Sequence, residues 1–181
     1  SSETETLGYY PPDWRGGISN TLSYKNFTLR ALVDVQIGGD LYSGTNSVAT
    51  GLGLTKRTLR GREGGVTVEG VDADGNPVTA TVRAQDYYSR IAGTVTSEFV
   101  YDASYVKLRE MSLSYRLPQS ILEATPLQQV NLSITGRNLL LLHDNIPNVD
   151  PESTYSTGEQ GLEYFGVPQV PTFGFRVNLR L

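Results

Sequence analysis

The chain has 181 residues, a net charge of −4 and a pI near 5.0, an acidic balance that argues against a nucleic-acid partner, because phosphate binding needs a clustered basic excess. It has no cysteine and a single histidine, His143, which excludes disulfides, thiolate catalysis and a multi-histidine zinc site. Hydrophobic residues make up 38%, alongside 11 Tyr and 19 Gly, a composition that fits β-structure with long polar loops and also fits a membrane barrel, where only alternate strand residues need be apolar.

The N-terminal stretch Ser1-Ser2-Glu3-Thr4-Glu5-Thr6 is polar and acidic, without the basic start and apolar run of a signal peptide. An exported protein is expected to carry one, so either it was removed or the chain begins mid-protein. No apolar run approaches the ~20 residues of a membrane helix; Leu139–Leu142 is among the longest.

The first alternating segment is Ile18–Tyr24, with Ile18, Leu22 and Tyr24 on one face and Ser19, Thr21 and Ser23 on the other. Lys25-Asn26 interrupts it as a tight hairpin. Phe27–Ile37 alternates more cleanly: Phe27, Leu29, Ala31, Val33, Val35 and Ile37 oppose Thr28, Arg30, Asp34 and Gln36, with Leu32 the one exception. Gly38-Gly39-Asp40 ends that strand, and a long polar stretch follows to about Ser104. Inside it, Val66–Val71 and Val78–Val82 flank Asp72-Ala73-Asp74-Gly75-Asn76. That segment resembles a calcium loop faintly, but its glycine comes too early, and it reads as a hairpin turn.

The third long strand is predicted over Tyr105–Leu117, with Met111, Leu113, Tyr115 and Leu117 opposite Ser112, Ser114 and Arg116. Pro118 stops it, and one helical turn is expected at Ser120–Ala124. Gln128–Leu140 is the fourth, with Val130, Leu132 and Ile134 opposite Asn131, Ser133 and Thr135. His143–Pro171 is a second long loop. Thr172–Leu181 closes the chain, with Phe173, Phe175, Val177, Leu179 and Leu181 alternating with Gly174, Arg176, Asn178 and Arg180. The five strands are consecutive and expected to be antiparallel, which places the chain in the all-β class.

Each strand offers about the 9–11 residues that cross a bilayer at a tilt. The connections alternate between short and long, as the periplasmic turns and extracellular loops of outer-membrane barrels do. Aromatic residues fall near strand ends at Trp14, Tyr24, Phe27, Tyr105, Tyr115 and Phe173, which fits an interfacial girdle or ordinary cross-strand packing. Five strands do not close a barrel, since known single-chain barrels have at least ~8; the membrane reading therefore expects further strands before residue 1.

At this point Asp13–Thr21, Gly38-Gly39-Asp40-Leu41-Tyr42-Ser43, the stretch Phe99-Val100-Tyr101-Asp102-Ala103-Ser104-Tyr105-Val106-Lys107-Leu108-Arg109-Glu110, Ser133-Ile134-Thr135-Gly136-Arg137-Asn138-Leu139, and Asn148-Val149-Asp150-Pro151-Glu152 matter together. In this order, across nearly the whole chain, they resemble the C-terminal region of SusC/RagA-type TonB-dependent transporters of Bacteroidota. The resemblance implies the last part of an outer-membrane, up-and-down barrel of about 22 strands with a plugged lumen. It implies import of oligosaccharides or peptides, a SusD-like lipoprotein as lid, and energy from the TonB system through N-terminal parts that this chain does not contain. Residues 38–104 and 143–171 become extracellular loops. The family often ends in an aromatic residue, where this chain has Leu181.

The site expectations follow. Tyr87, Tyr88, Tyr101 and Tyr105 flank the end of the large loop and either contact substrate or lid, or pack loop against loop. Arg30, Asp34, Gln36, Arg176, Asn178 and Arg180 are expected to face the lumen, serving hydration and plug contact. Phe173, Phe175, Val177, Leu179 and Leu181 are expected to face lipid in the terminal strand, which serves as the assembly signal. No cofactor, metal or catalytic residue is expected: no Gly-x-Ser-x-Gly elbow accompanies His143, and the pairs Glu98/Glu110 and Asp150/Glu152 read as solvated acids. The competing reading is a soluble all-β module that binds carbohydrate or a protein, which needs a second layer over its apolar faces.

Overall fold

The computed structural model describes residues 5–153 and 160–181. The first residues of the polar start and residues 154–159 of the second loop lie outside the described residues. In chain order the elements are β1 (Trp14–Tyr24), β2 (Phe27–Ile37), β3 (Asp40–Ser43), α1 (Gly44–Gly51), β4 (Val66–Val71), β5 (Pro77–Val82), α2 (Ala84–Thr94), β6 (Val100–Asp102), β7 (Tyr105–Arg116), α3 (Gln119–Leu122), β8 (Gln129–Asp144), β9 (Leu162–Glu163) and β10 (Thr172–Arg180). Single 3-10 turns lie at Lys56–Leu59 and Thr96–Phe99.

The chain divides into two units. The first contains Pro11–Gly39, Ala103–Asn145 and Pro168–Leu181. Its five long strands form one antiparallel sheet in the order β1-β2-β7-β8-β10, the order in which the alternating segments occur in the sequence. The hairpin at Lys25-Asn26 forms as expected, with Lys25 at φ 53°.

Register keeps the two faces apart. One row crosses all five strands as Leu22, Leu29, Leu113, Ile134 and Phe175; another runs Tyr24, Phe27, Tyr115, Leu132 and Val177. Between them, on the opposite face, lies the row Ser23, Thr28, Ser114, Ser133 and Arg176. A slip of one residue in any strand would reverse its faces, so the pattern itself fixes the pairing. Leu32, the exception on the polar face, lies over Gly17 of β1.

Two strand ends differ from expectation. β1 begins earlier, at Trp14, because its whole length pairs with β2 through Trp14↔Ile37, and a backbone ladder does not require alternating side chains. β8 continues to Asp144, past the expected end at Leu140. Its register to β7 shifts twice, and Asn138 has φ 51°. A bulge adds a residue to one strand and breaks the period that reveals strands.

The second unit contains Asp40–Asp102 and Ile146–Val167, with the N-terminal residues up to Tyr10. Here the long polar stretch holds more regular structure than the one hairpin that its sequence marked. Segment 38–104 holds α1, α2, the hairpin β4–β5 and the short strands β3 and β6; β9, in the second loop, pairs parallel to β3. The reason is chemical. The buried residues of α1 are Gly44, Asn46, Ser47 and Thr50, so its inner face is small and polar and leaves no hydrophobic period. Tyr164 lies so close to Gly44 that a Cβ there would overlap its ring. Leu41, Phe99 and Ile146 supply the apolar core, with Phe99 fully buried. The hairpin was legible: Val66↔Val82 to Val71↔Pro77 pair as expected. Asp72 closes its turn by accepting the amides of Asp74 and Asn76, and those bonds, from Asn76 above all, hold its carboxyl below the ordinary range.

Candidate functional site

The polar face of the five-stranded sheet surrounds a concavity of about 780 Å³. It is built by parity. Every second residue of β2, β7, β8 and β10 points to it, which brings Arg30, Ser112, Thr135 and Gly174 into one row and Arg116, Asn131 and Asn178 into another. Hydroxyls bond across strands: Ser114 and Ser133 lie 2.9 Å apart, Ser23 and Thr28 3.3 Å.

The bulge in β7 places two consecutive charged residues into this layer. Leu32 pairs with Glu110 and Val33 with Leu108, which leaves Arg109 as the extra residue. Arg109 donates to Asp34 at 2.6 Å, to the Asn138 side chain at 3.2 Å and to Gln169 at 3.3 Å. Beside it Arg137 donates to Glu110 at 2.8 Å. The charged stretch Lys107–Glu110 of β7 therefore meets Arg137 and Asn138 of β8. Sequence reasoning named Asp34 but missed Arg109, Glu110, Arg137 and Asn138 as site residues. Their opposite charges in adjacent predicted strands were the available signal.

Asp34 and Arg109 are mostly covered, with side chains 20% and 22% exposed. Removing Arg109 leaves the Asp34 carboxylate half-buried without this counter-ion. Arg109→Ala is expected to destabilise the sheet by about 2 kcal/mol, and the double change Asp34→Asn with Arg109→Met by less than the single one. Urea-driven unfolding of the whole protein in lipid vesicles measures both; a double variant weaker than Arg109→Ala would refute the ion-pair account.

Each expected site residue has a definite place. Arg30, Asp34, Gln36, Arg176, Asn178 and Arg180 all lie on the polar face by register, and Gln36 donates to the Ala103 carbonyl at 3.1 Å. Phe173, Phe175, Val177 and Leu179 lie on the apolar face of β10, while Leu181 follows the strand. That apolar face is strongly exposed in this chain: Ile18 65%, Leu22 63%, Ile134 58% and Phe175 67%. Phe27 and Tyr115 stack at its short-turn edge, with ring centroids 4.6 Å apart, beside Tyr24.

The four tyrosines differ from one another. Tyr87 is half-buried and edge-on to Tyr88, with centroids 5.1 Å apart. Tyr88 is buried and donates its hydroxyl to the Arg57 carbonyl at 2.7 Å. Tyr101, on β6, is half-buried, and burial raises its phenol pKa, an effect the nearby Arg57 partly offsets. Tyr105 is buried on the polar side of β7, within reach of the Arg15 guanidinium at 3.2 Å. It does not join an aromatic girdle on the apolar face, because strand parity turns it the other way.

No family model matches the chain. It is 33% identical to TonB-dependent receptor P3 of Formosa agariphila over 189 aligned positions, covering 99% of this chain and 17% of that protein. TonB-dependent receptor P26 of the same organism is 28% identical over 167 positions, covering 90% of this chain and 16% of that protein. Among solved structures, the RagAB peptide importer in its open-open state aligns with a TM-score of 0.66 and 19% identity, over 94% of this chain and 17% of that one. Its closed-closed state gives 0.65 and 18%, over 93% and 17%. These structures share the fold. The chain spans about a sixth of the length of the proteins it matches.

Proposed function

The chain belongs to the TonB-dependent receptors, and from that premise we propose that it is of the SusC/RagA type and that its five long strands form part of the wall of an outer-membrane importer. The observation that carries the reading is the two-faced sheet. An unbroken apolar row crosses all five strands, exposed at Leu22, Leu113, Ile134 and Phe175 and half-buried at Leu29, while the opposite face holds hydroxyls and ion pairs. Alternating strands whose outer residues meet lipid and inner residues meet water have this distribution. In water it would be a large exposed apolar patch.

In this reading the apolar residues of β10 meet lipid and guide assembly, and Arg30, Asp34, Gln36, Arg176, Asn178 and Arg180 face the lumen. Residues 38–104 and 143–171 form extracellular structures, with Tyr87 and Tyr101 as the accessible tyrosines for a substrate or lid. The cargo is an oligosaccharide or a peptide, a SusD-like lipoprotein covers the entrance, and the TonB system drives transport through parts of the receptor outside this chain. The RagAB importer, whose fold this chain shares, carries peptides. A soluble binding module would need its exposed apolar face covered by a second layer.

Deletion of the receptor gene is expected to abolish growth on one class of oligomeric nutrient. Uptake by the wild type should stop when the proton-motive force is collapsed. Uptake that continues unchanged after collapse would remove the energised-importer reading.

A further inference from the structure

Charge is distributed unevenly in this acidic chain. Its net charge is −4, yet the concavity on the polar face is lined by Lys25, Arg30, Arg116, Arg137 and Arg176 and by one acid, Glu110. That acid is engaged by Arg137 at 2.8 Å. Among the described residues, no carboxylate lies within ion-pair distance of Arg30, Arg116 or Arg176. Like charges gathered in one concave surface repel each other, and a concave wall of low dielectric concentrates their field.

The surface between them suits an oxyanion. Ser114 and Ser133 stand side by side with Arg176 next in their row, and Asn131 and Asn178 lie in the row of Arg116. A guanidinium offers a planar fork of donors that matches a carboxylate or a sulfate, and hydroxyls and amides complete the shell. There is also room. The volume of about 780 Å³ lies in the range of small-ligand sites, roughly 300–1,000 Å³. At Gly174, between these groups, an added Cβ would meet no atom within 4 Å.

We propose that this strip of the wall binds a carboxylate- or sulfate-bearing solute, so that the cargo passing the sheet is an anionic oligomer. The proposal rests on the barrel reading above, in which the polar face lines the lumen. The unpartnered guanidinia, the hydroxyl floor and the open space at Gly174 favour a small solute over a tightly packed protein surface.

The test uses the whole receptor in lipid nanodiscs. Phenylglyoxal modifies accessible arginines, and mass spectrometry reads the rate at each site. Four trimers are compared: trigalacturonate, sulfated galactotriose, triglutamate and uncharged galactotriose. Modification of Arg30, Arg116 and Arg176 is expected to slow at least about tenfold with one of the acidic trimers, and by less than about twofold with galactotriose. Which acidic trimer protects tells an acidic saccharide from an acidic peptide. The triple variant Arg30→Gln, Arg116→Gln, Arg176→Gln should bind the fluorescently labelled protecting trimer about tenfold more weakly.

Absence of protection by all three acids overturns the proposal. So does inertness of these arginines before any trimer is added, which would mean that another part of the receptor covers them. A carbene precursor dissolved in the lipid, added to the same sample, should label Leu22, Leu113 and Ile134. Failure of that labelling would strike the barrel reading itself, whereas labelled apolar residues with unprotected arginines would strike only the anionic cargo.

Discussion

Ile134→Arg is expected to destabilise the membrane-embedded receptor by about 2–4 kcal/mol, while Thr135→Arg, one residue along the same strand, should cost under about 1 kcal/mol. Ile134 lies in the apolar row between Leu113 and Phe175 and is 58% exposed. In the proposed barrel that exposure is to lipid, where an arginine must carry its charge into hydrocarbon or bend toward the interface. Thr135 faces the concavity, opposite Ser112 on one side and Gly174 on the other. The open space at Gly174 gives a long side chain somewhere to go. Neighbouring residues share their local backbone, so the contrast isolates the face. Urea unfolding in vesicles measures it. Equal losses at the two positions would show that neither face is in lipid, and a soluble sheet would then have to be reconsidered.

The second large effect is expected at Glu163. Its side chain is completely buried, accepting hydrogen bonds from the hydroxyls of Ser43 at 2.7 Å and Thr45 at 2.6 Å and from the Gly166 amide at 3.1 Å. Ser43 is shared: its oxygen also accepts the Asn46 amide at 3.1 Å and so caps α1. Asn46 in turn donates to the Pro147 carbonyl at 2.7 Å and accepts from Asn148 at 2.8 Å. One carboxylate therefore holds β3, α1 and β9 to the Asn148 stretch. Glu163→Ala strands the buried Ser43 hydroxyl and the part-buried donors of Thr45 and Gly166, a buried donor being worth roughly 1–3 kcal/mol when left unpaired. A total near 3 kcal/mol is expected, with Glu163→Gln losing about half of that. The readout is hydrogen exchange of the Tyr42 amide, which bonds to the Gly161 carbonyl at 2.9 Å. It should quicken about a hundredfold in Glu163→Ala, the rate equivalent of ~2.8 kcal/mol. An unchanged rate would mean that β3 and β9 are held by something other than this network.

The sheet and the network were legible to very different degrees. Phe27–Ile37 was readable to the residue, because each of its neighbours in the ladder needs the same parity and apolar side chains record it. The terminal strand, expected over Thr172–Leu181, was readable to within one residue of its observed end at Arg180, and so was the polar face carrying Arg30 and Arg176. The family resemblance was also carried by local stretches, and the match to a TonB-dependent receptor agrees with it.

The alternating part is written into the residue pattern: five strands, their order, their two faces and the short hairpin turn. Period-2 patterning is local, and antiparallel neighbours joined in chain order add no further choice. Long-range packing alone makes Asp40–Asp102 fold with Ile146–Val167, sets β9 parallel to β3, and buries Tyr88 and Tyr105. The first two depend on Glu163 reaching Ser43 across 120 positions of sequence, and on a helix whose buried face is polar. Long-range hydrogen bonds between common polar residues leave no periodic trace, so the chain's own sequence does not announce them until it is folded.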